Sequence, residues 1–230
     1  MTHDLVSFDL DGTLVDTASE IAEAANRALE SHGISRRPSA QITLLIGAGT
    51  RELMLKLLAS CYLEDPTLAE RVEPDAVLRS MDEHYALTAG TLAVPYGGCG
   101  ETLADLKAAG VRLACVTNKE LRHAKRVLHA LRLDGFFDLL IGGDSLPRKK
   151  PHADVLRHAA RTLGVSTART AHLGDSATDV AAARNAGVAA WAVPYGYNAG
   201  VPIIDAKPDR LFNHLPEVAE FVLSACRRAT

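Results

Sequence analysis

Short apolar runs alternate with longer stretches of helical period along most of the chain. "DLVSF", "VRLACV", "FDLLIG", "TAHLG" and "AAWAV" are nearly continuous in hydrophobic residues and predict buried strands. "GGCGETLADLKAAG", "KELRHAKRVLHALRL", "HADVLRHAARTLG" and "SATDVAAARNAG" predict helices, with stops at Gly110, Leu133, Gly164 and Gly187. Three of those stops are glycines, the residue that most easily takes the left-handed conformation ending a helix. Strands without polar alternation, each followed by a helix, imply a parallel sheet covered on both faces.

Between residues 17 and 90 this alternation stops, and only helical periodicity remains. Ile21, Ala25, Ala28 and Leu29 share one face; Leu53, Met54, Leu57 and Leu58 share another; Val77, Leu78, Met81 and Tyr85 share a third. "TLAVPYGG" then leads back to the strand pattern. The expected architecture is α/β, with a Rossmann-like doubly wound parallel core of residues 1–16 and 91–230. An all-helical domain, residues 17–90, is inserted after the first strand.

A length of 230 residues allows a core of this size, and a formal net charge of −3 offers neither a basic nucleic-acid surface nor an acidic tail. Apolar runs are too short to span a bilayer. Asp4, Asp9 and Asp11 interrupt the apolar stretch that a leader would need. Cys61, Cys99, Cys115 and Cys226 lack metal-ligand spacing and read as thiols of a reducing compartment. The expectation is a cytoplasmic protein, monomer or homodimer, with no membrane or nucleic-acid partner.

Ligands of doubly wound sheets bind beyond the carboxyl ends of the strands. Those positions carry Asp9 and Asp11, Thr117 and Asn118, Lys149 and Lys150, and Asp175 with Ser176 and Asp179. Asp-Gly at 11–12 also suits a hairpin turn, but "TASEIAEAANRALESHG" continues as a helix, not as a returning strand. Several carboxylates and a lysine, without histidine or cysteine ligands, describe an oxygen-lined site for Mg²⁺. Thr117 and the amides opening the next helix can take phosphate oxygens, and Lys150 offers a point charge. One carboxylate can act as nucleophile and the other, two residues on, as proton donor and acceptor.

"DLDGTLVDT", "TN", "KKP" and "GDSATD" resemble, in this order, the four motifs of the haloacid dehalogenase superfamily. The helical insert is similar to that family's cap. "IGGDSLPRKKPHADVLRHAARTLGV" and "VPYGYNAGVPIIDAKPDRLFNHLPEV" resemble its phosphoglycolate phosphatases. The resemblance implies Mg²⁺-dependent hydrolysis of 2-phosphoglycolate through an aspartyl-phosphate. It makes Asp9 the nucleophile, Asp11 the acid/base, and Thr117 and Asn118 phosphate binders. Lys150 neutralises charge; Asp9, Asp11 (through its carbonyl) and Asp175 hold the metal, with Asp179 behind them. Lys150 is preferred to Lys149 because Pro151 follows it. One departure is Ala153 after His152, where the family often carries proline.

"IGAGTREL" at 46–53 lacks the third glycine of a dinucleotide fingerprint and sits among helices. It reads instead as a cap loop in which Thr50 and Arg51 open a helix facing the site, with Arg51, or amides near Gly49 and Thr50, as candidates for a substrate carboxylate, and Arg51 otherwise for closure or as a plain solvated arginine. Arg36 and Arg37 read as solvated loop residues, His152 and His172 as surface or packing residues, and Trp191 as core. Alternative substrates are pyrophosphate, N-acetylmuramate 6-phosphate or a hexose phosphate handled by a mutase. Receiver-type signalling modules also combine acids, a hydroxyl and a lysine, but are about half this length and lack the insert.

Overall fold

The computed structural model describes residues 3–227, with side chains as far as Ser224, so the Cys226 thiol lies outside the described residues. The chain opens with β1 (Leu5–Phe8) and a two-residue strand β2 (Val15–Asp16). Five helices follow: α1 (Ala18–Ser31), α2 (Ser39–Thr43), α3 (Thr50–Glu64), α4 (Leu68–Arg71) and α5 (Pro74–Thr88). β3 (Val94–Pro95) then leads into α6 (Cys99–Ala108), β4 (Arg112–Val116), α7 (Leu121–Ala130), β5 (Leu139–Ile141) and α8 (Asp154–Thr162). β6 (Thr170–Gly174), α9 (Ala177–Ala186), β7 (Ala189–Ala192), β8 (Arg210–Leu211) and α10 (Leu215–Arg227) complete it.

Six strands form one parallel sheet in the order β5-β4-β1-β6-β7-β8. This is the doubly wound α/β class the apolar runs predict. Alternate residues of each strand enter opposite faces. Val6, Phe8, Leu113, Cys115, Leu173 and Trp191 meet α6, α7 and α10, whereas Leu5, Ala114, Val116, Ala190 and Ala192 meet α8 and α9. Both faces are dry, which is why the strands carry no polar alternation. β8, only two residues long and exposed, carries no such signal.

Gly110, Gly164 and Gly187 adopt φ values of +80°, +70° and +73° past α6, α8 and α9. The chain beyond α7 departs from expectation: Arg132, not Leu133, takes the left-handed turn, and Leu133 is buried.

Between β2 and β3, which pair antiparallel where the chain leaves the sheet and returns to it, the ordered elements are helices. Their core is Ile21, Ala25, Leu29, Leu53, Met54, Leu57, Leu58, Val77, Met81 and Tyr85, all nearly inaccessible to solvent. Each such Leu, Ile, Val or Met side chain contributes roughly 1.5–3 kcal/mol relative to exposure. Arg36 and Arg37 are not merely solvated, since Arg36 pairs with Glu23 and Glu30 and Arg37 with Glu64. The loop after α1 brings them to acids on α1 and α3, and exposed pairs of this kind are worth about 1 kcal/mol or less.

Candidate active site

From β1 the strand order runs outward through β4 to β5, then crosses to β6 and outward again through β7 to β8. The reversal opens a crevice beyond the carboxyl ends of β1 and β6, where such sheets bind ligands. Asp9 follows β1 directly, and Asp175 follows β6 directly. The register brings Phe8 beside Leu173, so the two acids meet.

Asp9, Asp175 and Asp179 are all buried, and one carboxylate oxygen from each lies within 4.8 Å of the others. Lys150 Nζ donates to Asp9 Oδ1 at 2.9 Å, to Asp179 Oδ1 at 2.7 Å and to the Val116 carbonyl at 2.8 Å. Asp9 Oδ1 also accepts from the Leu10 amide at 2.7 Å, which leaves Oδ2 unengaged among the described residues. Burial pushes the Asp9 carboxyl up to about 6 against the pull of Lys150. Burial, then Asp179 and Asp9, push Asp175 well above the ordinary carboxyl value. Burial also opposes charge on Asp179, but Lys150 and His172 overcome it and hold that carboxyl below the usual range.

Three carboxylates, with the Lys150 ammonium as their cationic partner, form a buried cluster of oxygen donors. A hard divalent cation fits that donor set. The oxygens of Asp179 are already engaged: Oδ1 accepts from Lys150 and His172, and Oδ2 from the Ser176 amide and hydroxyl. Asp179 is therefore suited to stand behind a metal, not to hold it alone. Asp175 accepts from the Thr13 hydroxyl at 2.8 Å and from the Tyr197 amide. Gly12, at φ +81°, lies so close that an added Cβ would sit 2.3 Å from Asp175 Oδ2. The Asp11 side chain is outside this cluster; its Oδ1 accepts from Thr17 Oγ1 at 2.6 Å and Lys119 Nζ at 2.7 Å.

A cavity of about 20 Å³, room for about one water, separates this cluster from the helices. Thr117, Asn118, Thr50, Gly49 and Lys119 line it with Asp9 and Asp11, and Ile21, Ile46 and Leu53 close it. The 47–50 loop is tied to the sheet side at three points. Asn118 Nδ2 donates to the Gly47 carbonyl at 3.1 Å, Lys149 Nζ to the Ala48 carbonyl at 2.7 Å, and Thr50 Oγ1 to Glu120 at 2.8 Å. Lys149 thus holds the loop, while Lys150 reaches the acids.

Arg51 departs from the expected position. It is exposed and lines a separate cleft with Asp75, Arg79, Asp82 and Arg122. Neighbouring helix positions are rotated by about 100°, so Thr50 facing the cavity turns Arg51 away. His172 is fully buried between Ser7 Oγ, 2.9 Å from its Nδ1, and Asp179 Oδ1, 3.1 Å from its Nε2; burial pushes its imidazole below the ordinary value. Lys119, Tyr85 and Glu20 carry no motif that marks them, and they form a buried chain to Asp11. Glu20 Oε1 accepts from the Tyr85 hydroxyl at 3.1 Å, and Lys119 Nζ donates to that hydroxyl.

Known proteins resemble this chain along most of its length. A phosphoglycolate phosphatase encoded on a plasmid of Cupriavidus necator is 42% identical over 192 residues, covering 84% of this chain and 81% of that protein. The phosphoglycolate phosphatase of Vibrio cholerae is 35% identical, covering 95% and 96% of the two chains. A crystal structure of a predicted phosphoglycolate phosphatase from Haemophilus somnus superposes with a TM-score of 0.90 at 30% identity, covering 96% of this chain and 98% of that one. A family model of haloacid dehalogenase-like hydrolases matches residues 3–187, which include the strand-end acids, Thr117 and Lys150. The family model spans the strand ends where the acids meet, and the chain belongs to the haloacid dehalogenase-like hydrolase family.

Proposed function

We propose that the chain is a Mg²⁺-dependent phosphate monoester hydrolase that works through a phospho-Asp9 intermediate and takes 2-phosphoglycolate as its substrate. The observation that carries this reading is the buried Asp9, with one oxygen held by Lys150 and Leu10 and the other unengaged. The names of the relatives at 42% and 35% identity support the substrate.

Asp9 Oδ2 attacks phosphorus, the new O–P bond forming as the ester P–O bond breaks. Asp11 gives a proton to the departing glycolate oxygen. In the second half Asp11 takes a proton from water, whose oxygen attacks the phosphorus and frees Asp9 and phosphate. Thr117 and the amides near it hold phosphoryl oxygens, and Lys150 offsets charge on Asp9 and on the phosphoryl group. Asp9, the Asp11 carbonyl and Asp175 are the residues that would hold Mg²⁺, which when bound supplies further charge neutralisation at those oxygens. Residues 17–90 act as a cap domain over a discontinuous core of 1–16 and 91–230. A cavity with room for about one water requires the cap to lift for the substrate and to close again over it. Three buried unpaired cysteines suit a cytoplasmic setting, and no described helix is long and apolar enough to cross a membrane.

A panel of phosphate esters assayed with Mg²⁺ tests the substrate. 2-Phosphoglycolate is expected to show the highest kcat/KM, ahead of pyrophosphate, N-acetylmuramate 6-phosphate and hexose phosphates; a sugar phosphate ranking first would overturn the assignment. Chelation is expected to abolish turnover, with Mg²⁺ restoring it and Ca²⁺ failing, because calcium demands more ligands at longer distances. Asp175→Ala should raise the Mg²⁺ concentration for half-maximal activity by roughly tenfold or more. An unchanged Mg²⁺ dependence in that variant would remove Asp175 from the metal site.

A further inference from the structure

Lys119 is 2% exposed, and a lysine is almost never so deeply buried unless it is paired. It leaves the end of β4 two residues after Thr117 and lies between the sheet and the helical segment. Its Nζ donates to Asp11 Oδ1 at 2.7 Å and to the Tyr85 hydroxyl, and sits 4.7 Å from the centre of the Tyr85 ring. Tyr85 donates in turn to Glu20, whose other oxygen accepts from the Gly90 amide at 2.8 Å. The ammonium is thus fixed from α5 and α1 at the wall of the cavity that holds Asp9 and Asp11.

An inventory of side-chain donors facing that cavity leaves few free. Asn118 has two amide hydrogens, given to the Gly47 and Lys150 carbonyls. The Thr50 hydroxyl is given to Glu120. The Thr117 hydroxyl, which accepts from the Lys119 amide at 3.2 Å, is reserved in the proposed mechanism for a phosphoryl oxygen. Ile21, Ile46 and Leu53 have none. An ammonium carries three N–H donors, of which the described residues take two on Lys119. Of the described residues lining the cavity, Lys119 is also the one with a cationic side chain, against the two carboxylates of Asp9 and Asp11. A second negative charge on a substrate would be repelled there unless it met this ammonium.

We propose that Lys119, held by Tyr85 and Glu20, is the specificity-determining residue that binds the carboxylate of a short phosphorylated hydroxy acid. The inference rests on the reading of the site as a phosphatase for such an ester. It assigns to a core residue the recognition that the sequence placed on Arg51, whose side chain lines a different cleft. The third N–H of Lys119 reaches the carboxylate while the pair with Asp11 persists, so binding of the substrate's acid group and placement of Asp11 are made by one side chain.

The test compares 2-phosphoglycolate with its neutral amide isostere, carbamoylmethyl phosphate, under saturating Mg²⁺. The wild-type enzyme is expected to favour the carboxylate ester by roughly ten- to hundredfold in kcat/KM, the scale of one charge-assisted hydrogen bond. Lys119→Gln should erase that preference, chiefly through a raised KM for 2-phosphoglycolate, whatever it does to turnover of both esters. Tyr85→Phe, which keeps the volume and drops the hydroxyl that fixes the ammonium, should lower the preference by about threefold. A folded Lys119→Gln enzyme that keeps the wild-type preference overturns the inference and leaves the substrate reading standing. A wild-type enzyme that does not distinguish the two esters overturns both. If Lys119→Gln does not fold, an unchanged preference in Tyr85→Phe decides against Lys119.

Discussion

Asp9→Asn is expected to lower turnover of every phosphate ester by several orders of magnitude and to abolish the acid-stable phosphoenzyme, because an amide oxygen is a poor nucleophile and a poor metal ligand. The loss should not come from unfolding. Asp9 is crowded by Asp175 and Asp179, and burial pushes its carboxyl up to about 6, so the native fold already disfavours a charge there. Asparagine has nearly the same shape, and its carbonyl can still accept from the Leu10 amide and Lys150. The variant should therefore melt at or above the wild-type temperature while remaining inactive, and it should still bind phosphate esters. Acid-quenched reactions with ³²P-labelled ester measure the intermediate directly. Activity above about a tenth of wild type, or a labelled protein after quenching, would move the nucleophile to another residue.

Much of this site can be read from the chain because parallel strands bring their carboxyl ends together. Once "DLVSF", "VRLACV" and "TAHLG" are strands, Asp9, Thr117 and Asp175 must converge, and the chain order of the sheet only decides which are neighbours. Lys119 is different. A lysine following Asn118 has the local look of a solvated loop residue, and its burial is created by Tyr85 and Glu20 from helices far away in sequence. His172 is hidden for a related reason, since its partners Ser7 and Asp179 lie on β1 and α9, and only the register of β1 on β6 aligns them. Arg51 shows the limit of helix phase. The loop before α3 is legible, and Thr50 does reach the cavity, yet a shift of one residue sends its neighbour to another face. The short helices α2 and α4 have too few turns to build a periodic signal, so they emerge only from packing.

Asp11→Asn should separate the two chemical steps. The asparagine keeps the main-chain carbonyl, and its side-chain oxygen can still accept from Thr17 and Lys119, so the site stays assembled. What it removes is proton transfer, worth roughly 10²–10⁴-fold where a proton is needed. Breaking an alkyl ester needs that proton on the leaving oxygen, whereas p-nitrophenolate leaves without it. Hydrolysis of phospho-Asp9 needs Asp11 to take a proton from water whichever ester supplied the phosphoryl group. With p-nitrophenyl phosphate the variant should therefore release a burst of nitrophenolate near one per site, at a rate within about tenfold of wild type, and then turn over slowly as phosphoenzyme accumulates. With 2-phosphoglycolate both steps should be slow, and little phosphoenzyme should build up. Rapid-quench measurements on the two esters read these steps separately. Equal losses in phosphoenzyme formation from both esters, with no burst from p-nitrophenyl phosphate, would show that Asp11 does not protonate the leaving group and that its place beside Lys119 serves substrate positioning alone.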